Sequence, residues 1–256
     1  MEVTFVGTGS GKTQLKRFHT SLLISSKNHS LLIDTGDGIS KALLSLEIDL
    51  NKIDSIFITH THSDHFSGIA SLLTQMKMAE RTKPLYFYIH SSFVNFANNF
   101  LFSSFLFPET FNFLFKIIGY NFGQKILFDE NFGILPLQNT HITNKHNVKL
   151  IPKNNFVSAS ILIMDAEISI HYTSDIGSIA DLSLFNEFFP KYLIVESTHV
   201  SFYHIINYLE NSFVEKVYLV HINDNDGIVD KHSKLSYKLK NKIFITYDGM
   251  KVYPTI

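Results

Sequence analysis

Residues 57–68 read Phe-Ile-Thr-His-Thr-His-Ser-Asp-His-Phe-Ser-Gly, and this stretch decides the fold. It begins at the end of an apolar run that predicts a β-strand, and four ligand-type side chains follow: His60, His62, Asp64 and His65. Alternate residues of an extended chain point to the same side, so His60 and His62 share one side, and the turn after them brings Asp64 and His65 to a second position. Imidazole and carboxylate without thiolate suit zinc, with iron or manganese as alternatives. A His-rich surface loop is the other interpretation, and the density of ligands at a strand end argues against it.

The stretch resembles the His-x-His-x-Asp-His signature of the metallo-β-lactamase superfamily. Other segments match the superfamily in order along nearly the whole chain. Residues 3–9 resemble the first strand and turn of its phosphodiesterase and ribonuclease Z-like branch, and residues 31–36 resemble its second motif. Residues 172–177 resemble the motif with a metal-bridging aspartate, and residues 217–221 resemble the last strand with its final histidine.

The resemblance implies two divalent ions, with zinc as the first choice of metal, and it distributes the ligands between them. It assigns His60 and His62 to the first ion, Asp64, His65 and His221 to the second, and Asp175 to both. Asp64 would also orient the nucleophile, and Asp34 would hydrogen-bond the far ring nitrogen of a ligand histidine. Taken alone, Asp175 could be a solvated turn aspartate and His221 a surface histidine, although both follow predicted strands.

The third histidine of the first ion is left open by the sequence. In many relatives it comes just before the strand that we predict near residues 158–164, a position that Asn155 holds here. Asparagine is a poor replacement for imidazole on zinc. His141 follows a predicted strand and is our prediction, with His146 and a degenerate first site as the alternatives.

A further histidine follows the strand that ends at Glu196. His199 could donate a proton to a leaving group, because an imidazole titrates near neutral pH. A surface histidine at a helix start is the alternative.

The organisation of the chain favours an α/β fold. Strands alternate with helices and no low-complexity linker interrupts them, which predicts sheets covered by helices. Two such halves predict a four-layer αββα sandwich, the metallo-β-lactamase fold, as a single domain over residues 1–256. We predict an aromatic-rich helical insertion at residues 91–120, whose spacing by three and four indicates a core face. Its additional phenylalanines leave a pocket wall, a lid or a dimer surface open.

Composition excludes several classes of protein. The chain has no cysteine, which excludes disulfides, thiolate metal sites and cysteine nucleophiles. The net charge of -1 provides no overall positive field for a long nucleic acid. The glycine-rich residues 7–13 fall one residue short of a phosphate-binding P-loop. No signal peptide or membrane span is evident, so we expect a cytoplasmic protein.

These observations predict metal-assisted hydrolysis of a small or cyclic phosphodiester through a metal-bridging hydroxide. The preference for a phosphodiester rests on the resemblance. An ester, lactone or thioester hydrolase is the alternative, with the aromatic segment as an acyl pocket. A non-catalytic binding or sensor module with a degenerate metal site is the alternative of another class. We expect a small-molecule substrate, and the aromatic segment offers a surface for a homodimer.

Overall fold

The structure is a computed structural model and describes residues 1–143, 152 and 155–255. The alternative ligand His146 and most of a strand that the sequence predicts at residues 148–152 lie outside the described residues.

Strands make up most of the regular structure. In chain order they are β1 (Glu2–Gly7), β2 (Ser21–Ser25), β3 (Ser30–Ile33), β4 (Ser55–Phe57), β5 (Leu85–His90), β6 (Phe115–Tyr120), β7 (Ile126–Leu127), β8 (Phe132–Gln138), β9 (Ala159–Asp165), β10 (Ile168–Tyr172), β11 (Tyr192–Glu196), β12 (Lys216–Val220), β13 (Ile243–Ile245) and β14 (Lys251–Val252). The α-helices are α1 (Ile39–Ser45), α2 (Ser63–Phe66), α3 (Ile69–Met78), α4 (Val94–Ser103), α5 (Phe202–Glu210), α6 (Ile228–Ser233) and α7 (Tyr237–Lys240).

The strands form two seven-stranded sheets, in the orders β14-β1-β2-β3-β4-β5-β6 and β13-β12-β11-β10-β9-β8-β7. In each sheet one side is antiparallel and the other is parallel. Parallel neighbours need crossover connections, and helices supply them on the outer faces. In one sheet the parallel strands β3 and β4 end at the same edge, and in the other sheet β10, β11 and β12 do so. The loops that follow these strands therefore begin at those edges.

Successive side chains of each strand point to opposite faces of its sheet, as expected for an extended chain. In β3, Leu31 and Ile33 belong to the core between the sheets, whereas Leu32 belongs to the core beneath the helices. The same division occurs in β11, where Ile194 faces the first sheet and Leu193 packs with Ile205 of α5. The predicted αββα sandwich is therefore confirmed.

The aromatic segment differs from its prediction at its carboxyl end. Residues 91–103 are helical as predicted, and Ala97 and Leu101 of α4 are buried in the core. Residues 115–120 are not helical: they form β6, which pairs in parallel with β5. Here the pairing with a strand distant in sequence outweighs the local aromatic spacing, and the β-branched pair Ile117 and Ile118 suits it.

Part of the aromatic segment remains at the surface. Its exposed apolar side chains are Phe96, Phe102, Phe105, Phe107 and Leu114. The homodimer surface therefore stays a prediction. Among the described residues, no helix combines the length and the apolar character that crossing a membrane requires.

Candidate metal centre

All seven side chains predicted to bind metal meet at one edge of the sandwich. His60 and His62 lie in the loop after β4, Asp64 and His65 lie in α2, and His141, Asp175 and His221 lie in the loops after β8, β10 and β12. They form two groups, in each of which one ligand atom per residue lies within 4.8 Å of the others. The two sheets thus contribute to one site.

Glycines allow the loop after β3 to pack tightly against α2. A Cβ atom on Gly36 would lie 1.9 Å from the carbonyl oxygen of Asp64, and one on Gly68 would lie 2.2 Å from the carbonyl oxygen of Gly36. The backbone of Thr35 also donates to the carbonyl of His65 at 2.7 Å. These close contacts fix the position of α2, and with it the side chains of Asp64 and His65.

The first group consists of His60, His62, His141 and Asp175. Nε2 of His60 lies 3.1 Å from Nδ1 of His62, and Nε2 of His141 lies 3.2 Å from the same atom. These three ring nitrogens therefore converge. A neutral imidazole carries a proton on one nitrogen and a lone pair on the other, so converging nitrogens bring lone pairs together. A cation between them would relieve the repulsion between their lone pairs. His141, the predicted third histidine, lies in this group, whereas Asn155, at the position that a histidine holds in many relatives, donates from its backbone to the carbonyl of Pro152.

The second group consists of Asp64, His65, Asp175 and His221. Nε2 of His221 lies 3.3 Å from Oδ2 of Asp64 and 3.3 Å from Oδ2 of Asp175. Nε2 of His65 lies 3.4 Å from Oδ2 of Asp64 and 3.5 Å from Oδ1 of Asp175. Asp175 belongs to both groups, because its Oδ2 also lies 3.7 Å from Nε2 of His141.

Two atoms of this cluster are buried without a hydrogen-bond partner: Nε2 of His65 and Oδ1 of Asp175. A buried polar atom without a partner is costly, and such atoms call for an explanation. Imidazole nitrogens and carboxylate oxygens without thiolate are the donor set of zinc, iron and manganese sites. The residues present therefore fit divalent ions.

The outer ring nitrogens of three histidines have partners that direct the inner nitrogens toward the cluster. His65 donates from Nδ1 to Asp34 at 2.8 Å, and Nδ1 of His60 lies 3.1 Å from Oγ1 of Thr59. Nδ1 of His221 lies 2.7 Å from Oγ1 of Thr198. With Nδ1 as the donor, each Nε2 presents a lone pair, which is the form that a metal ligand needs. The predicted role of Asp34 agrees with this contact.

Three residues around the site have left-handed backbone conformations: Asp34 with φ 64°, Ser174 with φ 51° and His221 with φ 53°. Residues other than glycine rarely adopt such φ values, and their cost persists only where surrounding contacts impose it. At Asp34 and His221 the turn redirects the chain directly after a strand. At these two positions the positive φ aims a side chain toward the site, while other non-glycine residues with positive φ, such as Glu47 and Phe189, lie elsewhere in the described chain.

Burial and neighbouring charges shift the pKa values of the cluster. Burial lowers the pKa of His141 to about 4, and burial with the neighbouring His65 lowers the pKa of His60 well below its usual value. Burial opposes the ionised carboxylate of Asp175, but His221 and His65 outweigh it and hold its pKa well below the usual range. Neutral His60 and His141 beside an ionised Asp175 have the protonation states in which these groups bind metal. Burial opposes the cationic form of His65, but Asp175 and Asp34 outweigh it and raise the pKa of His65.

A Glu196–His199 pair borders the second group. Glu196 is fully buried, and its Oε1 lies 3.0 Å from Nδ1 of His199, whose side chain is 42% exposed. The hydrogen bond to Glu196 raises the pKa of His199 and outweighs the opposing effect of burial. The predicted proton donor is therefore held beside the cluster with access to solvent. Its role stays a prediction.

Sequence reasoning missed the residues that hold these groups from behind, notably Thr59, Thr198 and the carboxylate of Glu196. Thr198 donates from Oγ1 to Glu196 at 2.9 Å and so joins His221 to that carboxylate. A detectable signal was the acidic residue that ends the apolar run of β11, since a charged side chain is rarely buried without a partner.

Comparison with known proteins agrees with this geometry. The profile of the family described as Anti-Pycsar protein Apyc1 matches residues 1–245. Anti-Pycsar protein Apyc1 of Bacillus phage 010DV004 is 24% identical over 263 residues, covering 96% of this chain and 98% of the phage protein. Human tRNase Z, short form, has a similar fold with a TM-score of 0.74 at 17% identity, and each chain is covered completely.

Ribonuclease Z of Thermococcus onnurineus is 34% identical over 108 residues, which are 42% of this chain and 35% of the archaeal protein. The chain thus spans about a third of the length of the ribonuclease Z relatives that it matches. The family profile, in contrast, extends over both halves of the metal centre. The chain belongs to the Anti-Pycsar protein Apyc1 family and has the metallo-β-lactamase fold.

Proposed function

We propose that this chain hydrolyses a small or cyclic phosphodiester, such as a cyclic nucleotide, with two divalent ions held by the residues of the two groups. The observation that carries the proposal is Asp175, whose Oδ1 faces His65 while its Oδ2 lies near both His141 and His221. One carboxylate between two sets of imidazoles is an arrangement that suits two neighbouring ions. Zinc is our first expectation, with iron or manganese as alternatives.

Ions bound in this centre would supply Lewis acidity for a phosphoryl oxygen and lower the pKa of a water molecule toward neutrality. The chain's own residues would orient the nucleophile and protonate the leaving group. Oδ2 of Asp64 lies near Nε2 of His65 and of His221, where it would help to hold an ion, and the remaining lone pairs of Asp64 can orient an attacking water. His199, held by Glu196, can give a proton to the departing alkoxide.

The surroundings of the centre favour a small anion over a long nucleic acid. The loop at residues 8–18 reaches the second group, since a Cβ atom on Gly11 would lie 2.9 Å from Oδ2 of Asp64. It carries exposed Lys12 and Lys16, while Arg17 is engaged with Asp224 at 2.9 Å. Among the described residues neither lysine forms an ion pair, so both suit one phosphate, and the net charge of -1 gives no wider field for a polyanion.

The names of the ribonuclease Z relatives and of human tRNase Z describe enzymes that act on RNA, but the ribonuclease match covers 42% of this chain. The match to the phage Anti-Pycsar protein covers 96% of it. Among the sequence matches this difference in coverage supports a substrate other than a long RNA, while the complete coverage by human tRNase Z, at 17% identity, bears on the fold alone.

The proposal is tested with metal content and hydrolysis measured on the same preparation. We expect about two equivalents of divalent metal per chain, and hydrolysis of cyclic mononucleotides or bis-p-nitrophenyl phosphate in preference to p-nitrophenyl acetate, a lactone or a long RNA. His141→Ala should lose one equivalent and most of the activity, whereas the control His204→Ala, at an exposed position of α5, should lose neither.

Each alternative function gives a different result in this assay. Preferential cleavage of the ester or lactone would support the ester hydrolase. Fewer than two equivalents after metal has been offered back, without any hydrolysis, would support a binding module. An unchanged His141→Ala variant would overturn the assignment of His141.

A further inference from the structure

His141 is held differently from the other histidines of the first group. His60 and His62 lie between β4 and α2, whereas His141 lies three positions after the last residue of β8, in a turn without regular secondary structure. Its partner Asp175 lies after β10, on another loop. Since the sheet itself does not fix the distance between these loops, other contacts must set it.

One such contact is the buried side chain of Asn139. Its amide nitrogen donates to the carbonyl of Asp175 at 2.9 Å and lies 3.3 Å from the carbonyl of Thr173. Its amide oxygen accepts from the backbone of His141 at 3.1 Å. One 3% exposed side chain therefore binds the backbones of both His141 and Asp175.

The second contact is the carboxylate of Asp181, which is also 3% exposed. It accepts from Oγ1 of Thr140 at 2.7 Å, from the backbone of Thr140 at 3.2 Å and from the backbone of Gly177 at 3.0 Å. The loops touch here without space for a side chain, because a Cβ atom on Gly177 would lie 2.1 Å from the carbonyl oxygen of Thr140. Asp181 thus joins the residue before His141 to the loop after Asp175.

A local structural role explains only part of this arrangement. Asp181 also closes a capping box with Ser178 at the start of a short 3-10 helix. Capping needs only the backbone of its own turn and would not require Thr140. Asn139 has no helix to cap. Its amide nitrogen also lies 3.1 Å from Oγ of Ser160 in β9, but its other contacts are to the backbones of His141, Asp175 and the nearby Thr173.

We propose that Asn139 and Asp181 are positioning residues that hold the His141 loop against Asp175 and thereby set the metal affinity of the first group. The proposal rests on the proposed function, since it needs His141 to bind metal. Neither side chain would touch the ion. Residues that orient metal ligands by hydrogen bonds typically change metal affinity or activity by 10–100-fold when they are altered.

The test measures zinc affinity of the full-length chain in zinc-buffered solutions, with the number of bound equivalents read at each free zinc concentration. Asn139→Asp keeps the acceptor toward His141 and replaces the donor toward Asp175. Asp181→Asn keeps the volume and removes the charge, so the test does not depend on one variant folding. Asp54→Asn is the matched control, because Asp54 also accepts from a backbone amide, that of Ser30, but directly before β4 at its opposite end.

We expect both variants to bind the equivalent held by the first group about 10–100-fold more weakly. The affinity for the equivalent held by the second group, and both affinities of the Asp54→Asn control, should equal those of the wild type. Added zinc should then restore kcat. The unfolding temperature of the metal-free protein is measured in parallel, because a merely structural role would lower it without changing zinc affinity. Wild-type affinity for both equivalents, or equal weakening of both, would overturn the proposal.

His141→Ala in the same titration separates this proposal from the proposed function. If His141→Ala loses an equivalent while Asn139→Asp and Asp181→Asn do not, only the positioning role fails. If His141→Ala itself binds two equivalents as the wild type does, the ligand assignment fails, and the positioning role falls with it.

Discussion

Oδ2 of Asp34 lies 2.8 Å from Nδ1 of His65, and neither side chain is exposed to solvent. The other oxygen of Asp34 accepts from the backbone and from Oγ1 of Thr59 at 2.8 and 3.0 Å. Asp34 therefore has no freedom to rotate, and it determines which ring nitrogen of His65 carries the proton. The loop after β3 and the loop after β4 are coupled through this one carboxylate.

Replacing Asp34 should weaken metal binding without removing a ligand. Asn is the suitable replacement, because it tolerates the positive φ of this position better than alanine. We expect Asp34→Asn to lower zinc affinity by about 10–100-fold, since His65 would lose its charged hydrogen-bond acceptor. Zinc-buffered titration measures this, with the exposed Asp37→Asn as control. Wild-type affinity in Asp34→Asn would mean that Thr59 alone is enough to orient the loop.

His199 should matter most for substrates with poor leaving groups. If it protonates the departing oxygen, His199→Asn should lower kcat for a cyclic nucleotide by roughly 100-fold, within the usual range for a general acid. For bis-p-nitrophenyl phosphate the loss should be much smaller, because nitrophenolate departs without a proton. Steady-state kinetics on both substrates measure the ratio. Equal losses would show that His199 binds substrate or orients His221 instead.

The pH profile should report the Glu196–His199 pair. Glu196 raises the pKa of His199, so the protonated form that donates persists to higher pH and activity falls as pH rises through that value. Glu196→Gln removes the negative charge, and the alkaline limb of kcat should therefore move to lower pH. The control is the profile of His199→Asn, in which this limb should be missing. An unmoved limb in Glu196→Gln would assign it to another group.

His171 should destabilise the fold at its present position. It is fully buried, both its ring nitrogens lack partners, and its ring packs edge-on against Phe185 at 4.8 Å. A leucine of similar volume would remove the unsatisfied polar atoms, so His171→Leu should raise the free energy of unfolding by about 1–3 kcal/mol. Urea unfolding of the metal-free protein measures this difference.

The same variant should lose part of its sensitivity to acid. Burial lowers the pKa of His171 to about 3, below the value near 6.5 of an unfolded chain. The unfolded state therefore binds the additional proton as pH falls below 6.5, and folded stability declines until pH 3. Between pH 7 and pH 5 this amounts to about 2 kcal/mol for the wild type relative to His171→Leu. A stability difference that stays constant between the two pH values would show that His171 is hydrated.

Arg81 should be essential for stability although it lies far from the predicted ligands in the chain. Its guanidinium is 1% exposed and donates to the carbonyls of Lys83, Ile53 and Pro84 at 2.8, 2.6 and 2.7 Å, and also to that of Leu50. Arg81→Met would remove the guanidinium donor from the carbonyls of Lys83, Ile53 and Pro84, so we expect a loss of about 3 kcal/mol or more in the free energy of unfolding. The control Lys83→Met alters an exposed side chain and should change it by less than about 0.5 kcal/mol. A similar loss in both variants would contradict the prediction.

The parts of the site that the sequence could predict are those in which ligand-type residues directly follow a predicted strand. His60, His62, Asp64 and His65 lie within one short stretch, so their proximity needs no knowledge of the rest of the fold. Asp175 and His221 each follow a strand, and the order of motifs supplied their place. The structure brings them together as expected.

The remaining features depend on encounters between distant segments. Nothing in the sequence distinguishes Asn139 or Asp181 as part of the site, because their significance arises only where the loops after β8 and β10 meet. The strand at residues 115–120 was misjudged for the same reason: its pairing partner β5 lies beyond the intervening helix. Local spacing carries no information about such partners.

The predicted ligands come from loops of both sheets, with His60 on one side and His221 on the other. Ions bound between them would act as a further cross-link between two layers that pack through a shared apolar core and through hydrogen bonds such as that from Ser174 to Thr59. Separation of the layers and release of metal would then be one linked equilibrium. A chelator should therefore lower the temperature at which the layers separate. Conversely, any change that loosens the packing of the layers should release metal.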